Sequence, residues 1–284
     1  MSIKRNIFEG IKVLYTYIPK LIPGYIGKRF SVESTEKLII IDEIKTVYGT
    51  IKYYCLGWLP LWRSQTLFIK EPETIEWIDN MTSEDILWDI GANVGLYSIY
   101  AGKKGMEVFA FEPSALNTFF ISKNIEVNNL KNNVFLFPIA VSDKNEFGYL
   151  NMTSTDLGGA LNEFNVNDIQ SVHAGQCTRE VVFKQGMFSY SIDEIIKKYA
   201  FKVPNYIKID VDSIEDKIIY GASETLYDSN IKGLLVELDE TEKRTEELIT
   251  FLEARGLKLK SKKHAEMFEK SEFSTQFNYI FERV

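Results

Sequence analysis

From about Ile86 onward, short runs of apolar, β-branched and aromatic residues recur along the chain. They are ILWDI (86–90), EVFAF (107–111), VFLFPIAV (134–141), YIKIDV (206–211) and GLLVEL (233–238), followed by LKLK (257–260) and NYIFE (278–282). Runs this apolar, with little strict alternation, predict strands covered on both faces, as in a parallel sheet. Between them, segments with helical spacing predict helices near 95–103, 114–128, 192–199, 214–226 and 240–255. Ser213 and Asp216 read as a capping box for the fourth of these. Five β/α units and then two closing strands predict a Rossmann-like α/β fold, with a seven-stranded, mostly parallel sheet and helices on both faces. A plain dinucleotide-binding fold would more often continue the alternation.

Two regions stand outside this rhythm. Residues 1–80 precede it and hold the aromatic-rich stretch YYCLGWLPLWRSQTLFIKEPETIEWID, which reads as an N-terminal extension making substrate or oligomer contacts. Residues 151–190 are polar, carry the Gly158–Gly159 pair, and interrupt the cofactor-binding domain expected over 81–284. A long insertion in an otherwise tight sheet is commonly a lid or a binding loop. The chain shows no internal repeat and no low-complexity tract.

Composition narrows the class. The 284 residues are 45% hydrophobic and 26% charged, as in ordinary globular proteins. Cys55 and Cys177 supply neither a disulfide framework nor a thiolate metal site, which points to a reducing, cytoplasmic setting. No stretch approaches the roughly 20 uninterrupted apolar residues of a membrane span, and the first residues lack the pattern of a signal peptide. The net charge of −7 is unevenly spread. Residues 1–30 carry Lys4, Arg5, Lys12, Lys20, Lys28 and Arg29 against the single acid Glu9, so the remainder is strongly acidic and ill suited to nucleic acid. The basic, aromatic N-terminus is read either as a peripheral contact to a membrane surface or a polyanionic partner, or as a helix docked on the body with its lysines in water. An exposed aromatic segment there would favour a homodimer.

The most informative segment is ILWDIGANVGLYSIYAGKKG, an apolar strand ending at Asp89, then Gly91, Asn93 and Gly95 leading into a helix. Glycines suit a sharp turn that a ligand must approach closely. The second strand ends at Glu112, where a carboxylate can accept from both ribose hydroxyls of a nucleoside cofactor. A dinucleotide turn avoids an acid beside the pyrophosphate. S-adenosylmethionine carries an ammonium and a sulfonium instead, and Asp89 with Asn93 suits such a cationic tail.

DIGANVG, FEP, AVSD (140–143) and YIKIDVDSIE together closely resemble the FkbM family of methyltransferases, and WRSQTLFIKEPETIEWI (62–78) is similar to the segment preceding the cofactor turn in bacterial members. The resemblance covers roughly residues 60–240 and the NYIF ending. It implies a class I methyltransferase fold, S-adenosylmethionine as donor, and O-methylation of sugar or polyketide hydroxyls. It also implies that Ala140, Val141 and Ser142 line the adenine and that Asp143 accepts from its amino group, although Asp143 suits a turn cap nearly as well. The family pattern D-V-E-G-x-E becomes Asp210-Val211-Asp212-Ser213-Ile214-Glu215 here, with a shorter acid and with serine for glycine.

Ligands of open α/β sheets lie beyond the carboxyl ends of the strands, which gathers Asp210, Asp212 and Glu237 on the rim that carries Gly91 and Glu112. Asp210 with Glu237 or Asp239 could hold Mg2+, by similarity to metal-dependent O-methyltransferases, or Asp210 could act directly as base. Alternatives are that Asp210 orders the glycine turn or the cofactor amine, and that Glu237 pairs with Lys208. His173, in the polar insertion, is a candidate general base with a surface-loop role as the rival. His264 reads as solvated. Arg63 and Lys70 can hold a phosphate or carboxylate of the acceptor, and Trp58 and Trp62 can stack on a sugar or simply pack. The expected activity is O-methyl transfer to a sugar or sugar nucleotide, as in surface-glycan synthesis. The rival readings are a nicotinamide-dependent oxidoreductase and a non-catalytic cofactor-binding module.

Overall fold

Leu87, Val108 and Ala110 join one layer of core while Trp88, Ile90, Phe109 and Phe111 join the other. Successive strand residues point to opposite faces, so apolar residues at every position demand cover on both sides of a sheet. The computed structural model describes residues 2–174, 176–264 and 266–284. In chain order the elements begin with helices α1 (Ser2–Tyr17) and α2 (Gly24–Lys37), hairpin strands β1 (Ile40–Thr46) and β2 (Gly49–Cys55), and helices α3 (Trp58–Gln65) and α4 (Pro72–Asp79). The β/α alternation follows: β3 (Ile86–Ile90), α5 (Leu96–Lys104), β4 (Glu107–Phe111), α6 (Ala115–Asn128) and β5 (Val134–Phe137). Then come β6 (Ala140–Val141), β7 (Glu146–Met152), β8 (Asn162–Asn165), β9 (Ser171–Ala174), β10 (Cys177–Glu180) and β11 (Phe183–Tyr190). The chain closes with α7 (Ile192–Tyr199), β12 (Tyr206–Ile209), α8 (Glu215–Tyr220), β13 (Gly233–Asp239), α9 (Lys243–Glu253), β14 (Leu257–Lys263) and β15 (Gln276–Arg283).

The central sheet has seven strands in the order β14-β15-β13-β12-β3-β4-β5. The five from β13 to β5 are parallel, and β15 runs antiparallel to both β13 and β14. The seven-stranded, mostly parallel class I layout expected from the sequence is the one observed. The strand order reverses between β3 and β12, and the crevice outside their carboxyl ends is the usual ligand position in such sheets.

Two expectations are corrected. The run 134–141 is not one strand: it breaks at Pro138, leaving β5 in the central sheet and β6 in a second, four-stranded sheet of order β6-β11-β7-β8. Proline has no N–H to give a ladder, so the chain changes sheets there. The polar insertion is accordingly built of strands, with β9 and β10 forming a separate hairpin. The capping box at α8 is also absent. Ile214 is the N-cap, and the Ser213 hydroxyl donates to Glu163 rather than accepting from the helix.

The chain divides into two units, Met1–Ile41 and Asp42–Val284. The first holds α1 and α2; the side chains of Lys4 and Arg5 lie outside those described. In the second, Ile51, Tyr53, Leu67, Trp77 and Ile78 are at most 5% exposed and pack into the core layer that contains Leu87, so residues 42–80 are part of the body. No helix of the described residues is long and apolar enough to cross a membrane.

Candidate active site

The turn after β3 fixes one wall of the crevice. Gly91 (φ 82°) and Asn93 (φ 51°) both take the left-handed conformation, and a Cβ on Gly91 would lie 1.8 Å from the Asp210 carbonyl oxygen. Only glycine lets the ends of β3 and β12 approach this closely. Glu112, 5% exposed, follows β4 and faces the turn. Its Oε2 accepts from the Asn93 N–H at 2.8 Å and its Oε1 from the Ser114 N–H at 2.8 Å. Burial outweighs these hydrogen bonds and pushes its carboxyl up to about 7.

A cavity of about 340 Å³ opens over this turn. It is lined by Gly91, Asn93, Glu112 and Asn117 together with Trp62, Arg63, Lys70, Asp210, Asp212 and Glu237. A narrow apolar cleft of about 30 Å³, lined by Pro113, Ala140, Val141 and Phe164 among others, adjoins it through the shared Gly91 and Val211. The segment before β8 crosses the opening as a strap. Gly158 accepts from Arg63 Nε at 2.9 Å, and Gly159 accepts from the side-chain amides of Asn93 at 2.9 Å and Asn117 at 3.1 Å. Asp212 receives the Asn162 N–H at 2.8 Å, and burial lifts its carboxyl to about 6.

Charge around Asp210 is organised by Lys208, which is 1% exposed. Its ammonium lies 2.6 Å from Asp210 Oδ2. Burial alone would raise the Asp210 carboxyl, but Lys208, Lys70 and Arg63 together hold it down at about 2. Lys70 in turn sits 2.6 Å from Glu71 Oε1. Glu237 differs. It lines the cavity, accepts no hydrogen bond from the described residues, and is driven well above the usual carboxylate range by burial and by the neighbouring Asp210 charge.

Several sequence-predicted residues lie elsewhere. Asp89 is 1% exposed, does not line the cavity, and takes a hydrogen bond from Ser98; burial raises its carboxyl. Gly95 (φ 83°) is the N-cap of α5, packed against Ile121. Ser142 is buried, donating to Asp143, and neither lines the cavity. Glu237 does not pair with Lys208, whose partner is Asp210. His173 is exposed on the β9–β10 hairpin, bonded to Ser171 and Thr178, and does not line the cavity. His264 is half-buried, with Nδ1 2.7 Å from the Gln276 carbonyl oxygen, rather than solvated. Trp58 is exposed, whereas Trp62 lines the cavity. Sequence reasoning missed Asn117, Leu161, Asn162, Phe268, Phe273 and Gln276, which also line it. The last three come from the segment before and into β15, where two phenylalanines in a polar stretch were the available signal.

The donor set does not fit magnesium. Asp239 is occupied by the Thr241 N–H at 2.8 Å and the Thr241 and Thr275 hydroxyls at 2.6 and 2.8 Å. Asp210 is ringed by cations, and among the described residues no group of three or more His, Cys, Asp or Glu is placed to hold an ion. A donor-rich, cationic ligand fits better. The Asn93 and Asn117 amide nitrogens both donate to Gly159, which leaves their buried Oδ1 atoms without partners beside the ionisable Glu112. Buried acceptors without donors are costly, and a ligand bearing hydroxyl and ammonium groups would satisfy them.

Residues 89–259 match the methyltransferase FkbM domain. Hexuronic acid methyltransferase AglP of Haloferax volcanii is 24% identical over 218 residues, covering 76% of this chain and 72% of that protein. Among solved structures, the methyltransferase FkbM from Methylobacillus flagellatus KT aligns over 71% of this chain with a TM-score of 0.47 and 14% identity. The chain spans 44% of the length of that protein. Magnesium protoporphyrin IX methyltransferase from Synechocystis PCC 6803, solved with bound SAM, aligns over 79% of this chain and 81% of its own, with a TM-score of 0.44 and 12% identity.

Proposed function

The chain belongs to the FkbM methyltransferase family, and from that premise we propose that it is an S-adenosylmethionine-dependent O-methyltransferase acting on a hydroxyl of a sugar or sugar nucleotide. The observation that carries this reading is the single cavity running from Glu112 and its orphaned amide oxygens to Arg63, Lys70, Trp62 and Glu237. The former suit a nucleoside and the latter a polar acceptor. The sugar is supported by the name of the Haloferax volcanii relative, a hexuronic acid methyltransferase.

S-adenosylmethionine, when bound, would supply a sulfonium methyl group to an acceptor oxygen, with S-adenosylhomocysteine as the leaving thioether. Glu112 would accept from the ribose hydroxyls, and Pro113, Ala140 and Val141 would border the adenine. Asp210, held ionised, is matched by Lys208, Lys70 and Arg63, so it fixes those cations rather than presenting a free negative charge. An alcohol must lose its proton as the bond to carbon forms. Glu237 is the cavity carboxylate free of hydrogen-bond donors, so it is the better proton acceptor than Asp210, whose basicity the three cations suppress. Arg63 and Lys70 would orient an anionic part of the acceptor, with Trp62 against its apolar face.

Isothermal titration with S-adenosylhomocysteine tests the cofactor directly. Micromolar binding by the wild type, weakened at least about tenfold in Glu112→Ala, is the expected result (about 1.4 kcal/mol). Absence of binding to S-adenosylhomocysteine, with NADH binding in its place, would overturn the reading.

A further inference from the structure

The methyl-transfer site leaves the first unit unused, and that unit has an unusual surface. Ile7, Ile11 and Leu14 recur along α1 at spacings of four and three, so they share one face of the helix, and they are 57%, 60% and 61% exposed. The turn that follows exposes Leu21 at 79%, and α2 adds Tyr25, Ile26 and Phe30 at 76%, 71% and 46%. Gly27 makes the bend between them tight: a Cβ there would lie 1.9 Å from the Ile22 carbonyl oxygen. With Val13, Tyr17 and Ile22 also exposed, ten large apolar side chains between Ile7 and Phe30 are exposed among the described residues, far from the scattered single exposures normal for a soluble surface.

The charge is as unusual as the hydrophobicity. Residues 1–41 hold seven basic and three acidic side chains, a balance of +4, which leaves −11 for residues 42–284. Lys20 extends over the exposed Tyr17 ring at 5.1 Å from its centroid, and Arg29 pairs with Glu33 at 2.6 Å, so charged groups are interspersed with the exposed apolar ones. A helix of 16 residues is about 24 Å long, too short to span a bilayer. Exposed apolar side chains interspersed with lysine, arginine and tyrosine suit the interface between headgroups and acyl chains.

We propose that the α1–α2 unit is a peripheral anchor that lies in the surface of an anionic lipid bilayer. The occupant is chosen by charge. A second copy of the chain meeting this face symmetrically would set +4 against +4, which an isologous interface has to overcome. An anionic bilayer offers both an apolar layer for Ile11 and Leu14 and a negative potential for Lys20, Lys28 and Arg29. Neither the cofactor nor the acceptor enters this inference.

Sedimentation of the full chain with vesicles is the test. Vesicles of phosphatidylcholine containing a third phosphatidylglycerol should carry the protein down, and pure phosphatidylcholine should hold it at least about tenfold less well, with binding weakened by salt. The double variant Ile11→Glu/Leu14→Glu and the double variant Lys20→Glu/Lys28→Glu should each lower partitioning at least about tenfold. All four positions are solvent-exposed, and unchanged thermal unfolding of the body would exclude a folding defect. Equal partitioning to both vesicle types, or none to either, would overturn the proposal. So would a concentration-dependent dimer in ultracentrifugation that Ile11→Glu/Leu14→Glu dissolves without any change in vesicle binding.

Discussion

Lys208 and Asp210, two residues apart where β12 leaves the sheet, form a nearly closed ion pair, with Nζ 2.6 Å from Oδ2 and side-chain exposures of 1% and 24%. The pair sits at the point where Gly91 touches the Asp210 backbone, so it joins the glycine turn to the rest of the cavity lining. A buried cation whose partner is removed is a large penalty, because desolvation is no longer offset.

Asp210→Ala should therefore destabilise the protein by about 3 kcal/mol in urea unfolding at neutral pH. The carboxyl of Asp210 is depressed to about 2, so its stabilising contribution is complete above its unfolded value near 3.9 and is lost as pH falls from about 4 toward 2. Acid titration of stability should show that loss in the wild type and a shallower one in Asp210→Ala. Identical acid limbs would show that the pair contributes nothing of the kind.

Glu112 behaves in the opposite sense. Burial raises its carboxyl to about 7, so the folded protein holds a proton there that the unfolded chain releases near 4.3, and this group's contribution to stability declines as pH rises from about 4 to 7. Accepting two ribose hydroxyls needs the ionised form. S-adenosylhomocysteine affinity should strengthen between about pH 6 and 8 and become nearly flat in Glu112→Gln. Calorimetry across that range distinguishes the two, and a flat wild-type profile would assign the ribose to other groups.

Glu237→Gln should leave cofactor affinity within about twofold while turnover, on whichever acceptor proves competent, falls about 10²–10⁴-fold, the usual contribution of a proton acceptor. Glu237→Asp should recover part of the rate. If turnover survives Glu237→Gln at a tenth of the wild-type rate or better, the proton leaves by another route.

The ease of reading this fold varied with the physics of each segment. β3, β4, β12 and β13 were legible because burial on both faces leaves a continuous apolar run, and the glycine turn because left-handed backbone and close approach restrict residue type. β7 and β11 were not, since EFGYLNM and FKQGMFSY each mix exposed and buried positions and resemble loop composition. The roles of the acids were hidden for a different reason. Whether a carboxylate is free depends on donors brought from elsewhere in the chain, such as Thr275 for Asp239 and the Asn162 N–H for Asp212. No local pattern records these partners. Strand-end position brought Asp210, Asp212 and Glu237 together but could not rank them.

Ser213 shows how one departure from the family pattern is tolerated. The position where the family carries glycine has φ 80° here, the left-handed region that costs a non-glycine residue about 1–2 kcal/mol. The serine hydroxyl offsets part of that cost by donating to Glu163 Oε2 at 2.8 Å, which ties α8 to β8. Ser213→Ala keeps the strain and loses the bond, so it should destabilise by about 1 kcal/mol. Ser213→Gly loses the same bond and adds backbone entropy to the unfolded chain, but it removes the strain, and should stay within about 0.5 kcal/mol of wild type. Glycine should thus exceed alanine in thermal midpoint by about 2 °C, the reverse of their order at ordinary helical positions. Should alanine prove the more stable of the two, the left-handed geometry at Ser213 carries no strain, and the serine would need an explanation in the Glu163 contact alone.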